Sequence, residues 1–130
     1  WTQNADSSIK YYSGTAIYTN KFSIGKLYKN AKITIGFYGP IYNIATIRIN
    51  GIDCGTLWTQ PYSVDISNAV KRGKNLIEIE VTNTWHNRLI GDSLLPKEQR
   101  ITWTTAPYRL KDKPLEPAGL LGKFIIITKR

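Results

Sequence analysis

One cysteine, Cys54, and one histidine, His86, are all that these 130 residues hold of either type, and acidic residues number only nine. Each scarcity excludes something. A lone cysteine forbids an internal disulfide, so the fold must rest on its apolar core. A thiol nucleophile needs an activating base, and His86 lies about thirty residues beyond Cys54; the expected role of Cys54 is that of a small buried core residue. One His and one Cys do not make a zinc site. The longest unbroken apolar stretch, Phe124-Ile125-Ile126-Ile127, suits the core of a strand and falls far short of the ~20 residues of a membrane-spanning helix. The chain starts at Trp1 with no initiating Met and no basic-then-apolar leader, which suggests a piece of a longer protein.

What is present is ordinary for a globular domain: 42% hydrophobic and 21% charged residues. Eighteen Lys and Arg against the nine acids give a net charge of +9, which raises a polyanion partner as one reading. The basic residues are scattered, however. The densest cluster, Lys71-Arg72-Gly73-Lys74, is expected on a surface turn, without the interleaved aromatics of a nucleic-acid face. The sequence therefore argues for no nucleic acid and no membrane span.

Alternation of apolar and polar residues dominates and predicts half-buried strands. Residues 15–24 place Ile17 and Thr19 opposite Tyr18, Asn20, Phe22 and Ile24. Residues 31–37 group Ile33, Ile35 and Phe37, and residues 44–49 turn Ala45, Ile47 and Ile49 inward. Asn50-Gly51 then predicts a tight hairpin, because both residues tolerate the positive φ of a type I′ turn, with a return strand over 52–57. Around Ile66 and Val70 the spacing is helical, with Asp65 or Ser67 as cap and Gly73 as stop. A further strand sets Ile77, Ile79 and Val81 against Glu78, Glu80 and Thr82. Residues 84–117 lack periodicity, with a short strand expected only over 100–105. A last strand over 122–128, apolar on both sides, is expected to be buried on both. Seven or eight such strands make an all-β antiparallel sandwich or jelly roll.

Several segments in order carry a resemblance: Ser13-Gly14-Thr15-Ala16-Ile17-Tyr18; Ile47-Arg48-Ile49-Asn50-Gly51 running into Cys54-Gly55-Thr56-Leu57-Trp58; Pro61-Tyr62-Ser63-Val64-Asp65-Ile66; the Gly73-Lys74-Asn75 turn into Glu78-Ile79-Glu80-Val81-Thr82-Asn83; Trp85-His86-Asn87-Arg88-Leu89-Ile90-Gly91-Asp92; and the closing stretch Pro117 to Gly122. Together they resemble the galactose-binding-like, sugar-binding jelly roll of family 2 glycoside hydrolases, and more closely the C-terminal module of large bacterial α-L-rhamnosidase-type enzymes. The resemblance spans Ser13 to Thr128. It implies a galactose-binding-domain-like sandwich, one domain over 1–130, that forms a C-terminal fragment of a larger glycoside hydrolase. It further implies an exported, periplasmic or extracellular parent, the parent's catalytic domain as partner, and oligosaccharide as a second partner. Some relatives hold a structural calcium, but no dedicated acidic loop matches here, so no cofactor is expected.

Chemistry within the chain has few candidates. A glycosidase centre needs two carboxylates roughly 5–10 Å apart across a pocket. Glu78 and Glu80 share a strand face at about 7 Å, where a solvated surface is the simpler explanation. The chain alone is therefore not expected to be an enzyme. Sugars are held by aromatic faces and planar polar side chains, which selects Trp58, Tyr62, Trp85, Trp103 and Tyr108, with Asn83, Asn87, Arg88 and Asp92 as polar partners. The carbohydrate-contact set is Trp58, Tyr62, Trp85, Asn87, Arg88 and Asp92. A competing reading makes the polar members a buried brace for the long loop, with Arg88 and Asp92 paired if that stretch turns helically.

Overall fold

A computed structural model of the chain describes residues 1–39, 41–105, 110 and 112–129. Among the described residues, seven antiparallel strands form two sheets, in the all-β sandwich expected from the sequence. The first sheet has the order β1 (Thr15–Ile24), β6 (Gly73–Thr82), β3 (Ile44–Ile49), β4 (Ile52–Leu57); the second runs β5 (Ser63–Asp65), β2 (Lys32–Tyr38), β7 (Lys123–Lys129). Helix α1 (Ser7–Lys10) precedes β1, and α2 (His86–Ser93) and a 3-10 turn at Lys97–Gln99 lie between β6 and β7.

The alternation read from the sequence builds the core. Ile33 and Ile35 of the second sheet meet Ala45, Ile47, Ile49, Ile77, Ile79 and Val81 of the first in one buried cluster. The hairpin forms as expected: Asn50 and Gly51 take φ of 53° and 82°, and β3 pairs with β4. Its register shifts once, so that Ile47 faces Gly55 and Arg48 faces Asp53, leaving Cys54 as the extra residue of a bulge. Asn50 does more than turn the chain. Its Nδ2 donates to Ala69 O and to Asn75 Oδ1, each at 2.8 Å, while its Oδ1 accepts from the Leu76 amide. Buried Asn75 in turn accepts from the Lys71 amide and donates to Lys71 O and Gly73 O, which ties the basic turn to the hairpin.

Around Ile66 there is a single helical turn: the Ala69 and Val70 amides reach Ile66 O, and Asp65 accepts from the Ser67 amide and hydroxyl. The residues before it form β5, a strand three residues long and too short to show a period.

Three expectations need correction. Residues 84–117 are not wholly irregular, since α2 occupies His86–Ser93. Residues 100–105 form no strand; Thr102 is engaged with Asp92 instead. The last strand is buried on one side only. As the edge of its sheet it turns Phe124 and Ile126 onto the core, while Ile125 and Ile127 stay 37% and 39% exposed. Outward apolar residues on an edge strand read like a doubly buried one.

The closing Pro117-to-Gly122 stretch docks by close approach. Gly119 (φ 99°) packs against the Trp1 indole, where an added Cβ would come within 2.7 Å of the ring nitrogen; one at Gly122 would collide with the Tyr38 carbonyl. Trp1 is held there by its amino group on Ala118 O and its indole nitrogen on the Tyr18 hydroxyl.

Candidate functional site

Burial pushes the Cys54 thiol up, the opposite of the lowered pKa that activates a cysteine, and the thiol packs half-buried against the core. His86 is turned to the 114–116 segment, with Nε2 3.2 Å from Pro114 O and Nδ1 3.6 Å from the Glu116 carboxylate. Glu78 and Glu80 lie on the outward face of the four-stranded sheet. Glu80 is bound to Arg48 at 2.6 Å, an ion pair across neighbouring strands (Arg48 stands opposite Glu78). Among the described residues no three His, Cys, Asp or Glu come together as a metal site.

Helix α2 carries Asn87, Arg88 and Asp92, and its residues divide by what they touch. Asn87, buried, donates through Nδ2 to Glu116 O at 2.7 Å and accepts the Glu116 amide at 2.9 Å, a two-point clasp on the far end of the long connection. Arg88 Nη2 and Asp92 Oδ1 stand 2.6 Å apart across one helical turn, and the Asp92 side chain is wholly excluded from solvent. Asp92 Oδ2 accepts from the Thr102 amide at 2.8 Å and from the Thr102 hydroxyl. Desolvation is the largest influence on the Asp92 carboxyl and pushes its pKa up. The Thr102 hydroxyl and amide, the Arg88 charge and the Ile101 amide together outweigh it and leave the carboxyl below the ordinary aspartate value. Ile90 is buried. At Gly91 an added Cβ would meet the Tyr11 ring at 2.7 Å and Arg88 Nη2 at 2.8 Å, so glycine lets ring and guanidinium close over the helix. Asn83, just before the helix, accepts the Gly14 amide and donates to Tyr12 O. These polar side chains thus hold three chain segments, around 12–14, 102 and 116.

The aromatic candidates sit differently. Trp58, after β4, is 71% exposed; Trp85, at the N-terminus of α2, is 67% exposed; Trp103 is 82% exposed. Tyr62 is half-buried against the core, held beside β2 by the bond from the Phe37 amide to Tyr62 O at 2.9 Å. Tyr108 lies outside the described residues. Among the described residues, no hydrogen bond, ion pair or ring contact joins Trp58 or Tyr62 to Asn87, Arg88 or Asp92. The structure therefore places the polar three on α2 with Trp85 at its N-terminus and, among the described residues, leaves Trp58 and Tyr62 without such a contact to them. Because Trp58 and Trp85 stand in solvent, Trp58→Ala and Trp85→Ala should leave the unfolding free energy within about 0.5 kcal/mol of the parent chain. Any loss of binding in those variants, measured by calorimetry, then reports a lost contact and not a damaged fold.

Sequence reasoning passed over an open trough of about 700 Å³ lined by Gly36, Tyr38, Gln60, Tyr62, Ile125 and Ile127, among others. The available signals were a glycine inside an alternating strand and the second set of isoleucines in β7. A smaller hollow of about 280 Å³ lies between α1 and α2, with Tyr11, Arg88 and Ile101 in its lining.

Residues 2–110 match the family model described as glycosyl hydrolase 2 galactose-binding domain-like. The solved rhamnosidase from Novosphingobium sp. PP1Y superposes with a TM-score of 0.87 at 41% identity, covering 98% of this chain and 12% of that one. A Formosa agariphila protein named as a beta-glucuronidase is 44% identical over 98 residues, 74% of this chain and 8% of its own length. The beta-D-glucuronidase of Dictyoglomus thermophilum gives a TM-score of 0.55 at 27% identity, over 62% of this chain and 14% of that one. The chain thus spans only about a tenth of these relatives. With the motifs, the two-sheet fold and the family model in agreement, the chain belongs to the glycosyl hydrolase 2 galactose-binding domain-like family.

Proposed function

We propose that this domain is a non-catalytic accessory module of a larger, periplasmic or extracellular glycoside hydrolase of the α-L-rhamnosidase type, packed on and supporting its catalytic domain. The observation that carries this reading is the use of the polar residues. Asn87, Arg88 and Asp92, the side chains best suited to chemistry, are committed to holding the 102 and 116 segments, and Glu80 is committed to Arg48. A retaining or inverting glycosidase needs a free carboxylate pair across a sugar, and neither set supplies one. The 41% identity to a stretch covering 12% of a rhamnosidase supports the parent's class. In this reading the exposed Trp58 and Trp85, with Tyr62, are the residues that contact carbohydrate, and α2 fixes the loop from which Trp85 projects.

Incubating the purified chain with 4-nitrophenyl α-L-rhamnopyranoside and 4-nitrophenyl β-D-glucuronide tests the proposal. It predicts no turnover above buffer. Turnover that disappears in Glu78→Gln or Glu80→Gln would sink it.

A further inference from the structure

Gly36 sits mid-strand in β2, the central strand of its sheet. Glycine there is not demanded by the backbone, since its φ lies outside the left-handed region, nor by crowding, since an added Cβ would meet nothing within 4 Å. Glycine weakens a strand interior, and its presence there marks a place where something else comes close to the backbone. What the missing side chain leaves is the trough. Gly36 stands opposite Ile125 on β7 and Ser63 on β5; Tyr38, 64% exposed, lies two residues along the same face, and Tyr62 and Gln60 complete the lining. Two tyrosines, an amide side chain and an apolar floor are the recognition elements of a pyranose ring, which offers C–H faces to aromatics and hydroxyls to amides.

The charges on this face select among sugars. Along β7, Lys123 and Lys129 share the outward side with Ile125 and Ile127 and bracket them, about 20 Å apart at the usual rise per residue. On β2, Lys32 faces the same way, paired with Asp65 at 3.8 Å, and Asp65 is the acid β5 contributes to this face. Three lysines against one aspartate leave the rim positive.

We infer that the outer face of the β5-β2-β7 sheet is a carbohydrate-binding trough for an acidic, uronate-bearing oligosaccharide, with a sugar ring seated over Gly36 and its carboxylates toward Lys123 and Lys129. The inference rests on the accessory-module reading for the class of polymer, and adds the place and the charge. Gly36→Val tests it, because valine fills the trough while suiting a strand better than glycine.

Calorimetric titration of the chain with tetragalacturonate, and with xylotetraose as the neutral counterpart, should show tetragalacturonate binding more tightly and weakening as salt is raised. Gly36→Val and Tyr38→Ala should each lower its affinity about tenfold or more, while the Tm of Gly36→Val stays level or rises. Tyr38→Ala carries the test if Gly36→Val does not fold. The inference is overturned if tetragalacturonate does not bind, if it binds both variants as well as the parent chain, or if xylotetraose binds equally with no salt effect. It is likewise overturned if the chain binds no sugar and Gly36→Val instead prevents association with the rest of the parent enzyme, which would give the trough to a protein neighbour. Turnover of the aryl glycosides by the chain is a separate readout and bears only on the accessory-module reading.

Discussion

Replacing Asp92 with Ala should destabilise the domain by about 3–5 kcal/mol, a fall in Tm of roughly 10–20 °C. The cause is what remains after the change. Asp92 is wholly buried, ion-paired through Oδ1 with the Arg88 guanidinium and accepting through Oδ2 from the amide and hydroxyl of Thr102. With the carboxylate gone, a guanidinium whose side chain is only 14% exposed loses its counter-charge, and the Thr102 groups lose their acceptor. Removing both charges in Arg88→Met/Asp92→Leu should cost less than the sum of the two single changes, because no orphaned charge is left. The same carboxylate sets an acid limit. Its pKa is lowered in the folded state, so the unfolded chain takes up the proton first. Its contribution is complete above the ordinary aspartate value and drains away as pH falls through that value toward the lower native one. Urea melts at decreasing pH should show acid destabilisation that is smaller in Asp92→Ala, where Asp6 and Asp65, whose carboxyls are also lowered, still contribute.

The second large effect belongs to the shared core. Ile47 is fully buried in β3, between β6 and β4, and faces Ile79 across the sheet. Ile47→Ala should cost about 2–5 kcal/mol, the lost transfer energy plus a cavity that neighbours in both strands hold open. Ile17 is the control. It has the same side chain on β1 but points to solvent at 59% exposure, so Ile17→Ala should shift stability by no more than about 0.5 kcal/mol. Equal losses at the two positions would show that the inward and outward faces have been assigned wrongly.

The contrast between those isoleucines also explains why most of the fold could be read from the sequence. Where a strand has one wet side, alternation alone names its faces; β2, β3 and β6 follow it, and β1 departs from it only at Asn20, which is exposed. Asn50-Gly51 fixes the hairpin because so few residue pairs accept two positive φ values. The failures share one cause, the absence of a period. Strand β5 is too short to display one, and β7 carries isoleucine on both sides although only one side is covered. Within helix α2 the pairing of Arg88 with Asp92, four residues apart, was legible and forms, but Asn87, Gly91 and the second oxygen of Asp92 meet Glu116, Tyr11 and Thr102, far off in the chain or across a loop. No local pattern reports such contacts. The motif that carried the family resemblance makes contacts within the domain: Asn87 clasps one segment, Asp92 another, and Gly91 makes room for Tyr11. The six candidate contacts were legible as residue types, yet their division into polar fasteners, two exposed indoles and a half-buried Tyr62 needed coordinates. Gly36 shows the reverse difficulty, since its significance lies in a side chain that is missing.

Central to this account is the claim that α2 and the residues it holds at Thr102 and Glu116, between β6 and β7, are a rigid part of the sandwich and not a mobile catalytic loop. Native-state amide hydrogen exchange at Gly14, Thr102 and Glu116 tests it most directly, because each amide donates to a buried side chain, Asn83, Asp92 and Asn87 respectively. These three amides should exchange slowly, with protection approaching that of Ile47 and Ile79 in the core strands. Exchange at the rate of an open loop, while β3 and β6 remain protected, would contradict it.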